Sequence, residues 1–246
     1  VLDRPAEPDN GEHQPDAIRG RIEFKRVCFQ YPDTARPTLE GIDLNLEIGT
    51  VTALVGRSGS GKTTLARLLP RFFHPSSGAI MLDGVDLEEY SLRPLRRAIA
   101  LVGQQVVLFD GSIEDNIRYG MLSNCTREQV AQAAQDAWAM EFIDRLPHGL
   151  DTVIGSDGVQ LSGGQRQRIA IARALILEPE LVICDEPISA LDVSIQAQVI
   201  NLLQRFKTEQ SLTYLFIAHD LSMVRYVSDT VGVMYLGKMM ELCDGE

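Results

Sequence analysis

The spacing of apolar positions divides the chain into an extended N-terminal third, a helical middle and an alternating C-terminal third. Ile22, Phe24 and then Val27 predict a strand that ends near Tyr31-Pro32. Ile42, Leu44, Leu46 and Ile48 alternate with Asp43, Asn45 and Glu47, the period of two expected of a half-exposed strand. Val51–Val55 predicts a short apolar strand that breaks into a glycine-rich loop, with helix formers following from Leu65. Thr126 and Gln129 have capping-box spacing and open a helix running to about Trp138. A second short helix covers Met140–Leu146 and ends at Pro147. After a Gly/Ser-rich stretch, an Arg- and Ile-rich helix is predicted from Gly163 to about Leu177. Strands follow over Leu181–Cys184, Thr213–Ala218, Val231–Tyr235 and Met239–Leu242, with an amphipathic helix over Val193–Phe206.

Strand–helix alternation at both ends of the chain argues for an α/β fold with a mainly parallel sheet covered on both faces. The helical middle, about residues 105–177, reads as an insertion between two core strands. Residues 1–20 are rich in Pro, Asp, Glu and Gly without an apolar period, which predicts a linker or tail ahead of one domain over 21–246.

Composition narrows the partners. A formal net charge of -11 fits poorly with a nucleic-acid binder, which carries a basic face, so no nucleic-acid partner is expected. No apolar run approaches the roughly 18–20 residues that cross a bilayer, and a soluble chain is expected. The four cysteines, Cys28, Cys125, Cys184 and Cys243, are scattered and form no CxxC pair, which suits a reducing compartment better than a zinc site or disulfide framework.

Three segments carry chemistry. Gly56-Arg57-Ser58-Gly59-Ser60-Gly61-Lys62-Thr63, followed by Thr64, fits G-x-x-x-x-G-K-[ST]. Glycines let backbone N–H groups turn inward around phosphate oxygens, and the following helix adds its positive end. Lys62 supplies a point charge for the β- and γ-phosphates, and the Thr63 hydroxyl is a Mg²⁺ ligand. Leu181-Val182-Ile183-Cys184-Asp185-Glu186 is an apolar strand ending in two carboxylates. Beside a phosphate loop, Asp185 suits the metal and Glu186 suits a base that orients the attacking water. In Leu161-Ser162-Gly163-Gly164-Gln165, Ser162 and Gln165 have capping-box spacing, and the glycine pair leaves helix-start amides open to an anion.

Leu161–Gln165 reads LSGGQ, the signature of the ABC ATPases, and the chain from about Gly20 resembles that family with every expected motif in order. The resemblance implies a P-loop NTPase with an N-terminal antiparallel β subdomain and an inserted helical subdomain, working on ATP with Mg²⁺. It implies that Tyr31 stacks on adenine and that Gln104 touches Mg²⁺ and senses a membrane domain. It also implies that Asp192, in Ser189-Ala190-Leu191-Asp192, contacts an opposing subunit and that His219 contacts the γ-phosphate. The family's working unit is a head-to-tail pair, with Ser162, Gly163, Gly164 and Gln165 of one copy closing the ATP site of the other. It powers a transmembrane partner from the cytoplasmic face of the membrane.

Two halves point to different branches. Residues 1–177, including the linker-like Leu2–Pro8, resemble the ATPase domains of bacterial lipid A and multidrug exporters. From Glu178 on, Pro187-Ile188 and Asp220 stand where exporters carry Ala-Thr and Arg, and Asp185–Gln198 looks like the oligopeptide importer ATPases. An engineered chimera, here an ATP-binding scaffold of weak turnover, and a natural divergent subfamily both fit such a mosaic, as does an importer subunit. Exporters carry Glu after the glycine matching Gly155, in a loop that talks to the membrane domain; here the place is Ser156, then Asp157.

Overall fold

A computed structural model of the chain describes residues 7–119, 125–155, 159–187, 193–218 and 221–245. Strands β1 (Ile22–Phe29) and β2 (Leu39–Leu46) pair antiparallel. The broken apolar spacing of β1 has a local cause. Arg26 adopts φ 50, the pairing register shifts between Phe24 and Val27, and the inward face passes from Ile22 and Phe24 to Val27 and Phe29. Strand β2 stops at Leu46, so Ile48, expected as its last inward residue, lies beyond the strand and is 45% exposed.

Strand β3 (Val51–Val55) runs into helix α1 (Lys62–Leu68) through the glycine loop. Strands β4 (Ser77–Leu82) and β5 (Val85–Asp86) complete a four-stranded sheet of order β2-β1-β4-β5, antiparallel throughout. Helix α2 (Leu92–Ala98) then leads into β6 (Ile99–Val102).

Between β6 and the next core strand come β7 (Gly111–Ser112), α3 (Ile113–Ile117), α4 (Arg127–Asp136), α5 (Met140–Ile143), β8 (Val153–Ile154) and α6 (Gly163–Leu175). The capping boxes read at Thr126 and Ser162 both form. Each hydroxyl accepts from the amide three residues on, and Gln129 and Gln165 accept in return. Such a cap stabilises a helix start by about 1 kcal/mol.

The chain returns through β9 (Leu181–Asp185), α7 (Val193–Gln210), β10 (Thr213–Ile217), α8 (Leu221–Val227), β11 (Thr230–Tyr235) and β12 (Lys238–Asp244). Together they give a six-stranded sheet of order β12-β11-β3-β10-β9-β6, parallel except for β12. Its central strands are apolar throughout because both faces are covered. Val182, Cys184, Tyr214 and Phe216 join the core beneath the helical insertion, whereas Leu181, Ile183, Leu215 and Ile217 join the core shared with the antiparallel sheet.

A polar, Arg-rich helix would place Arg166 and Arg168 on a solvated face, yet Arg168 is only 8% exposed. It donates to the carbonyl of Trp138 at 2.9 Å and to Glu141 at 3.0 Å, and it reaches Gln198 on α7. Trp138 is half-buried against the insertion core and takes a left-handed backbone, φ 54. Part of the segment expected as a linker or tail makes specific contacts. Residues 7–14 lie along α2 and the turn before it, and the Arg19 amide donates to Asp83 at 2.6 Å. Glu7 accepts two hydrogen bonds from Arg96 (2.7 and 2.6 Å), and Asp9 accepts from the amide of Leu92 (3.0 Å) at the start of α2. His13 is half-buried; its amide donates to the Glu89 carbonyl and its ring meets Tyr90 edge-on at 4.7 Å. Proline- and acid-rich sequence hides this docking because it relies mostly on backbone groups, a cap and an ion pair, with Ile18 its one apolar side chain packed against the core among the described residues. The pair Glu7→Gln and Asp9→Ala should release the segment, at a cost of about 1 kcal/mol for the lost cap. Amide exchange at His13 and Ser91, whose backbones are bonded to the strap contact, should quicken while the melting point of the core moves little.

Candidate functional site

A parallel sheet collects the carboxyl ends of its strands on one edge, and residues far apart in sequence meet there. The phosphate loop follows β3, Asp185 ends β9, and Gln104 follows β6; β10 lies between β3 and β9. A cleft of about 140 Å³ opens at this edge, lined by Thr38, Ser58, Gly59, Ser60, Gly61, Lys62, Thr63, Thr64 and Glu186.

The loop needs its glycines for space as well as for conformation. Gly56 has φ 149, and a Cβ there would stand 2.2 Å from the Met234 carbonyl oxygen. Gly61 has φ 102, and a Cβ would stand 2.7 Å from the Leu39 side chain. Left-handed backbone at Gly61 immediately precedes the first turn of α1, so its free amides face the cleft.

Lys62 is 5% exposed and curls into the loop. Its Nζ donates to the carbonyls of Gly56 (2.8 Å) and Arg57 (3.1 Å) and to Ser60 Oγ (3.3 Å). Burial lowers the pKa of its ammonium, against the raising influence of Glu186 and Asp185. The Thr63 hydroxyl donates to Asp185 Oδ1 at 3.0 Å, which joins α1 to the end of β9. Burial raises the Asp185 pKa; the Thr63 bond opposes that shift, and the charge of Glu186 adds to it. Glu186 takes φ 52, with its amide bonded to the Ile217 carbonyl at 3.0 Å. A left-handed conformation costs a non-glycine residue on the order of 1 kcal/mol, and here the chain turns just past the strand so that Glu186 lines the cleft.

The structure brings together Lys62, Thr63, Asp185 and Glu186. Tyr31 is half-buried beside this group: its hydroxyl shares a 3.2 Å hydrogen bond with Thr64, and its ring packs edge-on against Phe29 and Phe73. Gln104 is not on the same cleft wall. It lines a neighbouring cleft of about 370 Å³ with Val107, Gly163, Arg166, Gln167 and Pro187. Ser162, Gly163, Gly164 and Gln165, at the start of α6, are absent from the phosphate-loop cleft among the described residues. Asp192, His219, Ser156 and Asp157 lie outside the described residues.

Sequence reasoning missed the support behind the loop. Thr38 lines the cleft, and the Gly237 amide in the β11–β12 turn donates to the Ser60 carbonyl at 3.1 Å. The Met234 carbonyl sets the ceiling over Gly56. Tyr235-Leu236-Gly237 reads only as a hairpin turn; nothing in its residue types says that a loop about 180 positions earlier leans on it.

Comparison with known proteins agrees with this geometry. The family described as ABC transporter matches residues 39–189. An ATP-dependent lipid A-core flippase of Alkalilimnicola ehrlichii is 50% identical over 241 residues, covering 98% of this chain and 40% of the relative. The protein of the same description from Pseudomonas aeruginosa is 48% identical over 240 residues, covering 98% of this chain and 39% of that one. Both alignments therefore run across Glu178 without a break in coverage. A solved bacterial Atm1-family ABC exporter with ATP bound superimposes with a TM-score of 0.84 at 37% identity, covering 100% of this chain and 41% of that chain. The chain spans about two fifths of the length of these relatives.

Proposed function

Since the chain belongs to the ABC transporter family and is an ATPase domain of it, we propose that it works as half of a head-to-tail pair closed by ATP and Mg²⁺. The reading rests on one observation: Lys62, Thr63, Asp185 and Glu186 converge at one sheet edge, while the helix-start amides of Gly163 and Gly164, which the capping box between Ser162 and Gln165 leaves open, lie away from that cleft. A second copy supplies what the first lacks. The loop amides of Gly56–Thr64 and Lys62 hold the phosphates, Tyr31 carries the adenine, and the partner's signature helix closes the γ-phosphate.

The Mg²⁺ fit rests on the oxygen donors present. The Thr63 hydroxyl and the Asp185 carboxylate already meet at 3.0 Å, hard ligands of the kind Mg²⁺ takes, and Gln104 would be added on closure. Held by these residues, Mg²⁺ would supply positive charge to offset the negative charge developing on the transferred phosphoryl group. Glu186 orients the attacking water, His219 contacts the γ-phosphate, and Asp192 meets the opposing copy. Catalysis is then positioning and charge complementarity.

In its setting the pair drives export across a bacterial inner membrane, seated on its cytoplasmic face beneath a membrane-spanning partner. The relatives named as lipid A-core flippases point to an amphiphilic lipid as cargo. Among the described residues no helix is long and apolar enough to cross a membrane. Phosphate release measured against protein concentration tests the pair. Specific activity should rise with concentration and then saturate; activity strictly proportional to concentration down to nanomolar protein would refute it.

A further inference from the structure

The loop that carries Gln104 has no regular structure of its own: residues 103–110 form neither strand nor helix. Its shape is imposed from outside. Asn116, at 1% exposure, accepts from the Phe109 amide at 2.8 Å and donates to the Phe109 and Ser112 carbonyls at 2.9 and 3.0 Å. Arg173, on α6, donates to the Val107 carbonyl (3.1 Å), the Asn116 carbonyl (2.7 Å) and the Asn116 side-chain oxygen (3.1 Å). Its guanidinium also lies 5.5 Å from the centre of the Phe109 ring. Burial lowers the Arg173 pKa, so holding a cation here has a desolvation cost. Apolar packing alone would be served by Met or Leu. The planar fork of Arg serves a different need, reaching two chain segments at once with fixed geometry.

The other end of the same helix faces the same loop. Gln104 and Val107 share a cleft with Gly163, Arg166 and Gln167 in the first turns of α6. Arg173 lies about 15 Å along the axis from Gly163, so the loop is pinned at one end of α6 and opposes the signature at the other.

We propose that Arg173, acting with Asn116, is a positioning residue that fixes the Gln104 loop to the signature helix, so that Gln104 of one ATP site and the Gly163 and Gly164 amides serving the partner's site move as one body. This rests on the roles proposed above for Gln104 and the signature. A loop displacement on closing one site would then reach the other through a rigid 13-residue helix.

A double-mutant cycle tests it, using Gln104→Ala, Arg173→Met and the two combined, with kcat referred to folded protein. Each single change should lower kcat about tenfold while KM for ATP stays within about twofold, and the double change should also cost about tenfold because both act through one loop. With Glu186→Gln added, Arg173→Met should weaken ATP-driven pairing about tenfold in sedimentation. If Arg173→Met does not fold, Asn116→Ser, which leaves the guanidinium in place and removes the clamp on Phe109, takes its place in the cycle. A double change costing about a hundredfold would mean independent action and would overturn the proposal. So would an Arg173→Met protein with lowered melting temperature but unchanged kcat per folded molecule. No effect of Gln104→Ala alone would remove the role of Gln104 and with it this proposal, while the head-to-tail pair stands or falls by the concentration dependence above.

Discussion

Lys62→Ala is expected to lower affinity for magnesium ATP by about 10- to 150-fold, because a hydrogen bond to a charged group contributes about 1.5–3 kcal/mol and a decade of affinity is about 1.4 kcal/mol. Turnover should fall to background. Among the described residues its three hydrogen bonds are to atoms of its own loop, Gly56, Arg57 and Ser60; Glu186 and Asp185 act on the ammonium only through space, so its burial is incompletely compensated. That arrangement suits a group waiting for phosphate oxygens. Removing it should therefore leave the melting temperature near that of the parent while abolishing the rise in melting temperature that ATP produces by binding the native state. Titration calorimetry and thermal melts with and without nucleotide read both effects. A Lys62→Ala protein that binds magnesium ATP as tightly as the parent would sink the phosphate-loop assignment.

Glu186→Gln should lower kcat by two to four orders of magnitude, the range expected of a lost general base, with ATP binding retained. The substitution keeps the shape and removes the negative charge, so the left-handed turn at Glu186 and its amide bond to Ile217 are preserved. It also takes one carboxylate charge away from Asp185 and from the incoming triphosphate. ATP-driven pairing should accordingly be tighter and longer-lived in this variant than in the parent, seen as a doubling of mass in light scattering with ATP and Mg²⁺. Parent-level turnover would exclude Glu186 as the base. Lost turnover without pairing would leave the base in place and refute the head-to-tail unit.

Sequence alone determined those features in which a residue type at a fixed local spacing is itself the cause. A phosphate loop needs small residues, a cation and a hydroxyl within nine positions, so Gly56–Thr64 is legible wherever it falls. Capping boxes are equally local, and those at Thr126 and Ser162 form as their spacing requires. Runs such as Leu181–Cys184 and Thr213–Ala218 announce strands buried on both faces, from which the parallel sheet follows. Ile48 misled because alternation says nothing about where pairing stops, and Val27 stood out of phase because of the shift at Arg26.

Tertiary structure decided what depends on partners distant in the chain. Only the strand order places the end of β9 two strands from the phosphate loop, close enough for Thr63 to reach Asp185. Arg168 and Arg173 look like surface charges on a polar helix until Gln198, Trp138, Asn116 and Val107 are folded around them. The acidic strap over 7–20 is held by backbone bonds and carboxylate caps that leave no apolar period to read. The physical reason is the same each time. Short-range rules fix a residue's own conformation, whereas the burial and hydrogen-bond partners of a polar side chain are set by segments brought to it only when the sheet and its insertion close.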